Sequence, residues 1–471
     1  MFLIYNTLFG ADKMTSKRIF SLIVCIVTAF VTVVCAVPSG AITFTPNFDI
    51  SSEAAVMINL DKNVTVYVKN GDKKMYPASL TKIMTAMVVL DNVSDIDNTE
   101  YEAPLVVFDE LYGQGASAVG LIRGEITTVK DLLYSLMLKS ACESAGILAY
   151  NVGGGSISNF VDMMNAKAKA IGCSGTNFTN PHGLYDSNQF TNANDMAKIA
   201  KYAVDNYPKL VEIACTPEYE MAATNMHEAG WAHIYHTNSM LNRSSSEYYQ
   251  YVKGFKTGTL DESGRNLCTL GSRDGNNYLL VTLGSPLTDE NGNTVYKHYD
   301  DHRMLYEWAF DTLEFKQVVS SGKEVGELGV KYGDNSDFVR LVTGEDYSCI
   351  WDRSLDTARL KEKVKVDESL LNEDRTITAP VEKGTKLGEY SVSLSGTEVC
   401  TVDLVAQETV TRSELRYNLD RAKNFVSSGW FIAGAAAFIL LVIIYSIIVG
   451  ISRKKKKKKR NIRKVKKKRN F

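Results

Sequence analysis

Ser79 and Lys82 stand three residues apart in Pro77-Ala78-Ser79-Leu80-Thr81-Lys82. If this stretch opens a helix, both side chains share one face. A serine hydroxyl is a poor nucleophile until a neighbouring base takes its proton. A lysine ammonium cannot take that proton. A partly buried lysine near other cations can lose its own proton and then serve as the base. A helix start also turns backbone N–H groups toward the negative charge that develops during attack. The spacing points to acyl transfer, with Ser79 as nucleophile and Lys82 as general base. Taken alone, it also reads as Ser79 capping a helix with Lys82 in solvent.

A second stretch is Lys256-Thr257-Gly258-Thr259, after Gly254. A cation beside a hydroxyl can hold a substrate carboxylate, and Gly258 lets a ligand backbone approach a strand edge. Lys256, Thr257, Gly258 and Thr259 are therefore candidate substrate-binding residues. A small polar turn is the plainer reading. His227, His233 and His236 lie within ten residues, but His227-Glu228 is followed by Trp231 where a zinc-binding H-E-x-x-H helix needs a second histidine. Neither a metal nor a cofactor is expected.

Both stretches need elements to hold them. Ala54 to Leu60 and Asn63 to Val68 read as a hairpin across Asp61-Lys62. Apolar spacing predicts helices over Leu80–Leu90, Val129–Tyr150, Phe160–Ile171 (ended by Gly172) and Asn194–Val204. Phe255–Gly258, Leu267–Gly271 and Tyr278–Leu283 read as strands. Strands at both ends of a helical middle predict a sheet with helices packed on it. Residues 318–405 change character to short strands and turns, as in Ile377-Thr-Ala-Pro380, and predict a small all-β domain. Residues 406–428 read as a charged, mildly amphipathic stalk.

The net charge of -1 over 471 residues hides an asymmetry. From Arg453 to Arg469 there are 14 Lys or Arg and no acid; with those set aside, 39 basic residues face 54 acidic ones. A uniform nucleic-acid binder has no such division. Ile19 to Val34 is apolar, follows Lys13, Lys17 and Arg18, and ends at Val34-Cys35-Ala36, which predicts a signal peptide over 1–36. Trp430 to Gly450 carries no charge and is long enough to cross a bilayer. The basic run follows at once, which predicts a single-pass membrane protein with the body outside and tail 451–471 in the cytoplasm, against anionic lipid head groups. The six cysteines beyond the signal include no C-x-x-C pair, so no zinc knuckle or dithiol site is indicated.

The serine–lysine and Lys-Thr-Gly stretches in this order carry a resemblance. The sequence resembles the low-molecular-weight penicillin-binding proteins, serine-type D-Ala-D-Ala carboxypeptidases related to class A β-lactamases, over about residues 40–405. Tyr76-Pro-Ala-Ser-Leu-Thr-Lys-Ile-Met-Thr-Ala86 carries it most closely. Gly124-Glu125 with Thr128-Val-Lys-Asp-Leu-Leu133, Asn180-Pro-His-Gly-Leu184, His236-Thr-Asn-Ser-Met-Leu241 and Lys253-Gly-Phe-Lys-Thr-Gly258 support it.

The resemblance implies an α+β, β-lactamase/transpeptidase-like catalytic domain over 40–315, an antiparallel sheet with helices. It further implies an acyl-enzyme on Ser79, release of the terminal D-Ala from peptidoglycan stem peptides, and acylation by β-lactams. The family's middle motif, Ser-x-Asn, reads here Ser140-Ala141-Cys142. Ser140 is implied to relay a proton between Lys82 and the leaving amine. Cys142 stands at the substrate-binding asparagine's position, where a thiol is the weaker hydrogen-bond partner. That departure keeps open a different reading, a wall-binding or morphogenetic scaffold with faded catalysis. A β-lactamase needs a deacylating base, and only Glu143 lies near the middle motif.

Overall fold

The computed structural model describes residues 45–468, so the expected signal segment 1–36 lies outside the described residues. The chain divides into two units: residues up to Lys316 with Ser348–Arg359, and Gln317–Tyr347 with residues from Leu360 onward.

In the first unit, β1 (Ala54–Asn59) and β2 (Val64–Lys69) form the predicted hairpin, with Val56 opposite Val68. Strands β3 (Val252–Leu260), β4 (Gly264–Arg273) and β5 (Asn276–Ser285) join it in the order β2-β1-β5-β4-β3, every neighbouring pair antiparallel. The two ends of the unit's sequence thus meet in one sheet. Strand β3, which carries Lys256, Thr257 and Gly258, takes an edge, where its outer face can meet a ligand.

Helix α1 (Thr81–Asn92) is buried continuously from Thr81 to Val89. A helix buried on every side lies inside a core, and here its few polar residues, Thr81, Lys82 and Thr85, are buried with it. Around it pack α2 (Cys142–Val152), α3 (Ile157–Ile171) and α4 (Ala193–Asn206). Helix α4 covers β1 and β5, while α5 (Lys297–Thr312), which no sequence signal singled out, covers β4 and β5. Both sheet faces are therefore closed.

The helix predicted over Val129–Tyr150 is broken. A first segment, Val129–Tyr134, passes into a π-helical turn at Ser135–Lys139; Ser140 then takes a left-handed φ of 63°, and α2 begins at Cys142. No Pro or Gly marks the break. Apolar periodicity runs through it because Leu132, Leu136 and Ile147 all belong to one core. The break brings Ser140 and Cys142 to a helix start, and π-turns of this kind gather at functional sites.

The second unit holds a six-stranded sheet. Strands β6 (Glu324–Lys331), β7 (Phe338–Thr343), β8 (Leu360–Val366), β9 (Ile377–Thr378), β10 (Lys386–Leu394) and β11 (Thr397–Ala406) lie in the order β8-β10-β11-β7-β6-β9. Only the β6–β9 pair is parallel. Alternation sets which face is inside: Tyr390, Val392 and Leu394 are buried, while Ser391 and Ser393 between them are half-buried. The stalk stretch forms helix α6 (Glu414–Val426), followed by the 40-residue helix α7 (Gly429–Lys468). Its apolar stretch is long enough to cross a membrane.

Candidate active site

Ser79 lies in the single 3-10 turn Ala78–Leu80, which runs directly into α1. Its side chain does not cap the helix. Ala78 before it has φ 48°, a conformation that costs a non-glycine residue about 1–3 kcal/mol and gathers at functional sites. One turn along, Lys82 is fully buried. Its Nζ lies 3.1 Å from Ser79 Oγ, 2.5 Å from the His182 carbonyl oxygen and 3.4 Å from Cys142 Sγ. Burial pushes the Lys82 pKa below the usual amine range, against the opposite pull of Cys142 and Glu143.

The His182 carbonyl reaches Lys82 because its loop is tied to α1. Thr85 Oγ1 donates to the Pro181 carbonyl at 2.6 Å. Gly183 has φ 87°, and a Cβ there would stand 2.0 Å from the Ala78 carbonyl oxygen, so only glycine lets the loop close on the serine turn. The His182 ring accepts from Leu184 N–H through Nδ1 and meets Glu110 through Nε2 at 3.3 Å. Burial lowers its pKa. Sequence reasoning missed the His182 carbonyl, since a backbone acceptor has no residue-type signal.

Strand β3 comes against the same turn. A Cβ on Gly258 would stand 3.0 Å from the Ser79 backbone nitrogen and 3.2 Å from Ala78 Cβ. Lys256 is fully buried and donates to the Thr257 carbonyl at 3.0 Å. Its pKa falls well below the usual value, first through burial and then through the charge of Lys82. Thr257 Oγ1 meets Thr237 Oγ1 at 2.6 Å, and Thr259 is exposed. Beneath the strand, His236 Nε2 faces the Ala214 and Phe255 carbonyls at 3.2 Å each, and Nδ1 accepts from Asn238 N–H. Burial and the Lys256 charge hold His236 down at about 4. It is a neutral Nε2–H donor under the strand.

The middle motif is tied to the segment before α2. Ser117 Oγ donates to the Ser140 carbonyl at 2.5 Å, and Cys142 N–H donates to the Ser117 carbonyl at 2.8 Å. Glu143 Oε1 accepts from Val119 and Gly120 N–H at 2.7 and 3.1 Å. Glu143, the residue weighed as a deacylating base, thus spends Oε1 on holding a turn, while its Oε2 is buried without a hydrogen-bond partner among the described residues. Burial raises its pKa. The structure brings Cys142 to Lys82, but Ser140 Oγ is buried and has no hydrogen-bond partner among the described residues. The three clustered histidines go to separate partners: His227 to Glu125, His233 to Glu218 and His236 to the two carbonyls.

Comparisons with known proteins give the family. Residues 41–286 match the D-alanyl-D-alanine carboxypeptidase family model, and residues 313–412 match that of the penicillin-binding protein 5 C-terminal domain. The D-alanyl-D-alanine carboxypeptidase DacF of Bacillus subtilis is 26% identical over 362 residues, covering 77% of this chain and 86% of that protein. DacA of Haemophilus influenzae is 27% identical over 372 residues, with 77% and 86% covered. The structure of penicillin-binding protein 5 from Haemophilus influenzae superposes with a TM-score of 0.54 at 25% identity, covering 78% of this chain and all of that one. With its α+β catalytic fold and following all-β sheet, this chain belongs to the serine-type D-alanyl-D-alanine carboxypeptidase family, the low-molecular-weight penicillin-binding proteins.

Proposed function

We propose that the protein removes the terminal D-Ala from peptidoglycan pentapeptides through an acyl-enzyme on Ser79, and that β-lactams block it at the same residue. The observation that carries this is the 3.1 Å contact between Ser79 Oγ and the buried Lys82 amine. As a neutral amine, Lys82 keeps two donors, for the His182 carbonyl and Cys142 Sγ. Its lone pair is then left to accept the Ser79 proton.

Ser79 Oγ attacks the carbonyl carbon of the penultimate D-Ala, and its proton goes to Lys82. The Ser79 backbone N–H faces the charge that develops on the carbonyl oxygen. The C–N bond to the last D-Ala breaks, and Ser140 Oγ relays the proton from Lys82 to the leaving amine. Water, deprotonated by Lys82, then hydrolyses the ester. Lys256, Thr257, Gly258 and Thr259 hold the substrate, and Cys142 serves at the position of the family's asparagine. A scaffold that has lost catalysis has no need to keep the Lys82 arrangement, so that reading is not favoured.

For the rest of the chain we take 1–36 as a signal peptide, 40–315 as the catalytic domain, 318–405 as the β domain and 406–428 as the stalk. The membrane helix is 429–450, with the catalytic body outside the cell and tail 451–471 in the cytoplasm at anionic lipid.

The test is D-Ala release from a pentapeptide, with fluorescent penicillin labelling, on the detergent-solubilised chain and its Ser79→Ala variant. Release and labelling that both vanish in Ser79→Ala are expected. Folded wild-type chain that neither releases D-Ala nor takes the label would sink the proposal.

A further inference from the structure

Strand β3 ends at Leu260, and the chain turns through Asp261-Glu262-Ser263 into β4. A cavity of about 420 Å³ opens at this turn, with Tyr76, Asp261, Glu262 and Ser285 among its walls. Tyr76 joins it to the site, three residues before Ser79. The Tyr76 carbonyl accepts from Asn266 Nδ2 at 2.9 Å, and Asn266 stands opposite Gly258 in the β3–β4 pair. The cavity wall and the serine turn are thus held by the same two strands.

Ser285 is fully buried, yet its Oγ has no hydrogen-bond partner among the described residues. Buried polar groups are nearly always paired, so a hydroxyl left open on a cavity wall calls for a ligand group that completes it. The charges around it say which. Lys73 is paired with Glu53, and Lys74 Nζ lies 3.9 Å from the centre of the Phe190 ring. The Asp261 and Glu262 carboxylates have neither an ion-pair nor a hydrogen-bond partner among the described residues. Tyr76 and Tyr185 meet edge to face, 5.2 Å between ring centres. Hydrogen bonding to Tyr76 pushes the Tyr185 pKa up, and the Glu262 charge adds to it, which sets that carboxylate near the ring pair. Two spare carboxylates beside aromatic rings favour an ammonium group.

The spacing matches the substrate. A strand advances about 3.3 Å per residue, so the turn at Asp261 lies roughly 13 Å along from Thr257. Consider a peptide on the β3 edge with its C-terminal D-Ala at Thr257. The residue before the D-Ala pair then falls near Thr259, two residues short of Asp261, a gap that a lysine-length side chain can bridge. A stem peptide carries a diamino acid at that place. We infer that the cavity is a second substrate subsite, which takes the side-chain ammonium of the diamino acid preceding the D-Ala pair, with Asp261 and Glu262 as specificity-determining residues. This rests on the acyl-transfer reading above and adds to it the part of the stem peptide upstream of the scissile bond.

The experiment compares Nα-acetyl-L-Lys-D-Ala-D-Ala with its L-norleucine counterpart, which keeps the apolar stem and lacks the ammonium, on the detergent-solubilised full chain. The wild type turns over the lysine peptide with a kcat/KM about five- to tenfold higher. The double variant Asp261→Asn, Glu262→Gln brings the lysine peptide down to the norleucine level and leaves the norleucine peptide within about twofold. In the Ser79→Ala background, calorimetry reads the same preference as affinity, without turnover, and the same two substitutions abolish it. Equal affinity of the two peptides in Ser79→Ala, or an equal loss on both in the double variant, overturns the inference. If the wild-type chain turns over neither peptide while the calorimetric difference holds, the catalytic reading fails and this one stands.

Discussion

Lys82 Nζ and Ser140 Oγ lie buried in the same site, one with three partners and the other with none. Ser79 Oγ, the His182 carbonyl and Cys142 Sγ surround the amine. The serine hydroxyl meets no acceptor or donor among the described residues. Buried polar groups in folded proteins are nearly always paired, and an unpaired one costs about 1–3 kcal/mol. The contrast separates two kinds of preparation. Lys82 is held in working geometry before substrate arrives. Ser140 is held by its backbone, through Ser117, and the proposed relay role would give its hydroxyl a partner only when substrate binds. The left-handed Ser140 and Ala78 are the backbone cost of the same preparation.

The largest effect should come from the paired side. Lys82→Met removes the base and leaves an apolar side chain of similar length facing the His182 carbonyl. Acylation of Ser79 by penicillin should fall at least about 10³-fold, while thermal stability changes little, since relief of a costly buried amine is offset by a buried carbonyl left without its donor. Stopped-flow acylation beside a melting curve tests both. Near-normal acylation in Lys82→Met would remove the distinction between the two groups.

The unpaired side should behave in the opposite manner. Ser140→Ala should slow D-Ala release about 10²-fold yet leave the resting protein as stable or up to about 1 kcal/mol more stable, because the group it removes has no partner. A clear loss of stability would mean that the hydroxyl is paired in solution. Cys142→Asn bears on the same face: an amide in place of the thiol at 3.4 Å from Lys82 Nζ should raise the rate about tenfold, the worth of one better hydrogen bond.

The pH profile distinguishes the two groups with no substitution. Burial lowers the Lys82 pKa, so the fraction of neutral amine, and with it the acylation rate, rises with pH. It should reach its plateau below the ordinary lysine value of about 10.4. A rate still climbing at that value would mean that Lys82 is solvated.

How far each group was legible in sequence follows from the same physics. Ser79, Lys82, Lys256 and Gly258 were readable because their types and short spacings carry the chemistry, and the sheet that joins 54–69 to 252–285 follows from strand patterns at both ends of the unit. The break at Ser140 was not. Its flanks share one apolar core, so the periodic signal ran through it. The His182 carbonyl, which meets Lys82 Nζ at 2.5 Å, was missed for a related reason: it acts through position, as backbone. Helix α5 escaped because polar residues interrupt its buried face: Asp301 and His302, bonded inward to Ser52, Thr269 and Thr282, lie beside Leu305, Tyr306, Ala309 and Phe310.

A further prediction, on stability, concerns His236, the paired counterpart under β3. Its ring is fully buried, donates to carbonyls and accepts from Asn238 N–H, and burial holds it at about 4 against an ordinary value near 6.5. Between those values the unfolded chain binds a proton that the native ring refuses. Stability therefore rises with pH across this window and is lost as pH falls from about 6.5 to 4, by up to about 3 kcal/mol. His298, held at about 3 by burial, acts with the same sign, so the wild-type slope alone does not isolate His236. His236→Asn keeps a donor and an acceptor but does not titrate. The urea midpoint for loss of penicillin labelling should drop less between pH 7 and 4.5 in His236→Asn than in the wild type, by the equivalent of about 2–3 kcal/mol. Parallel slopes would show that the ring under β3 takes up a proton as readily folded as unfolded, and the case for a dry, fully paired side of the site would fall with it.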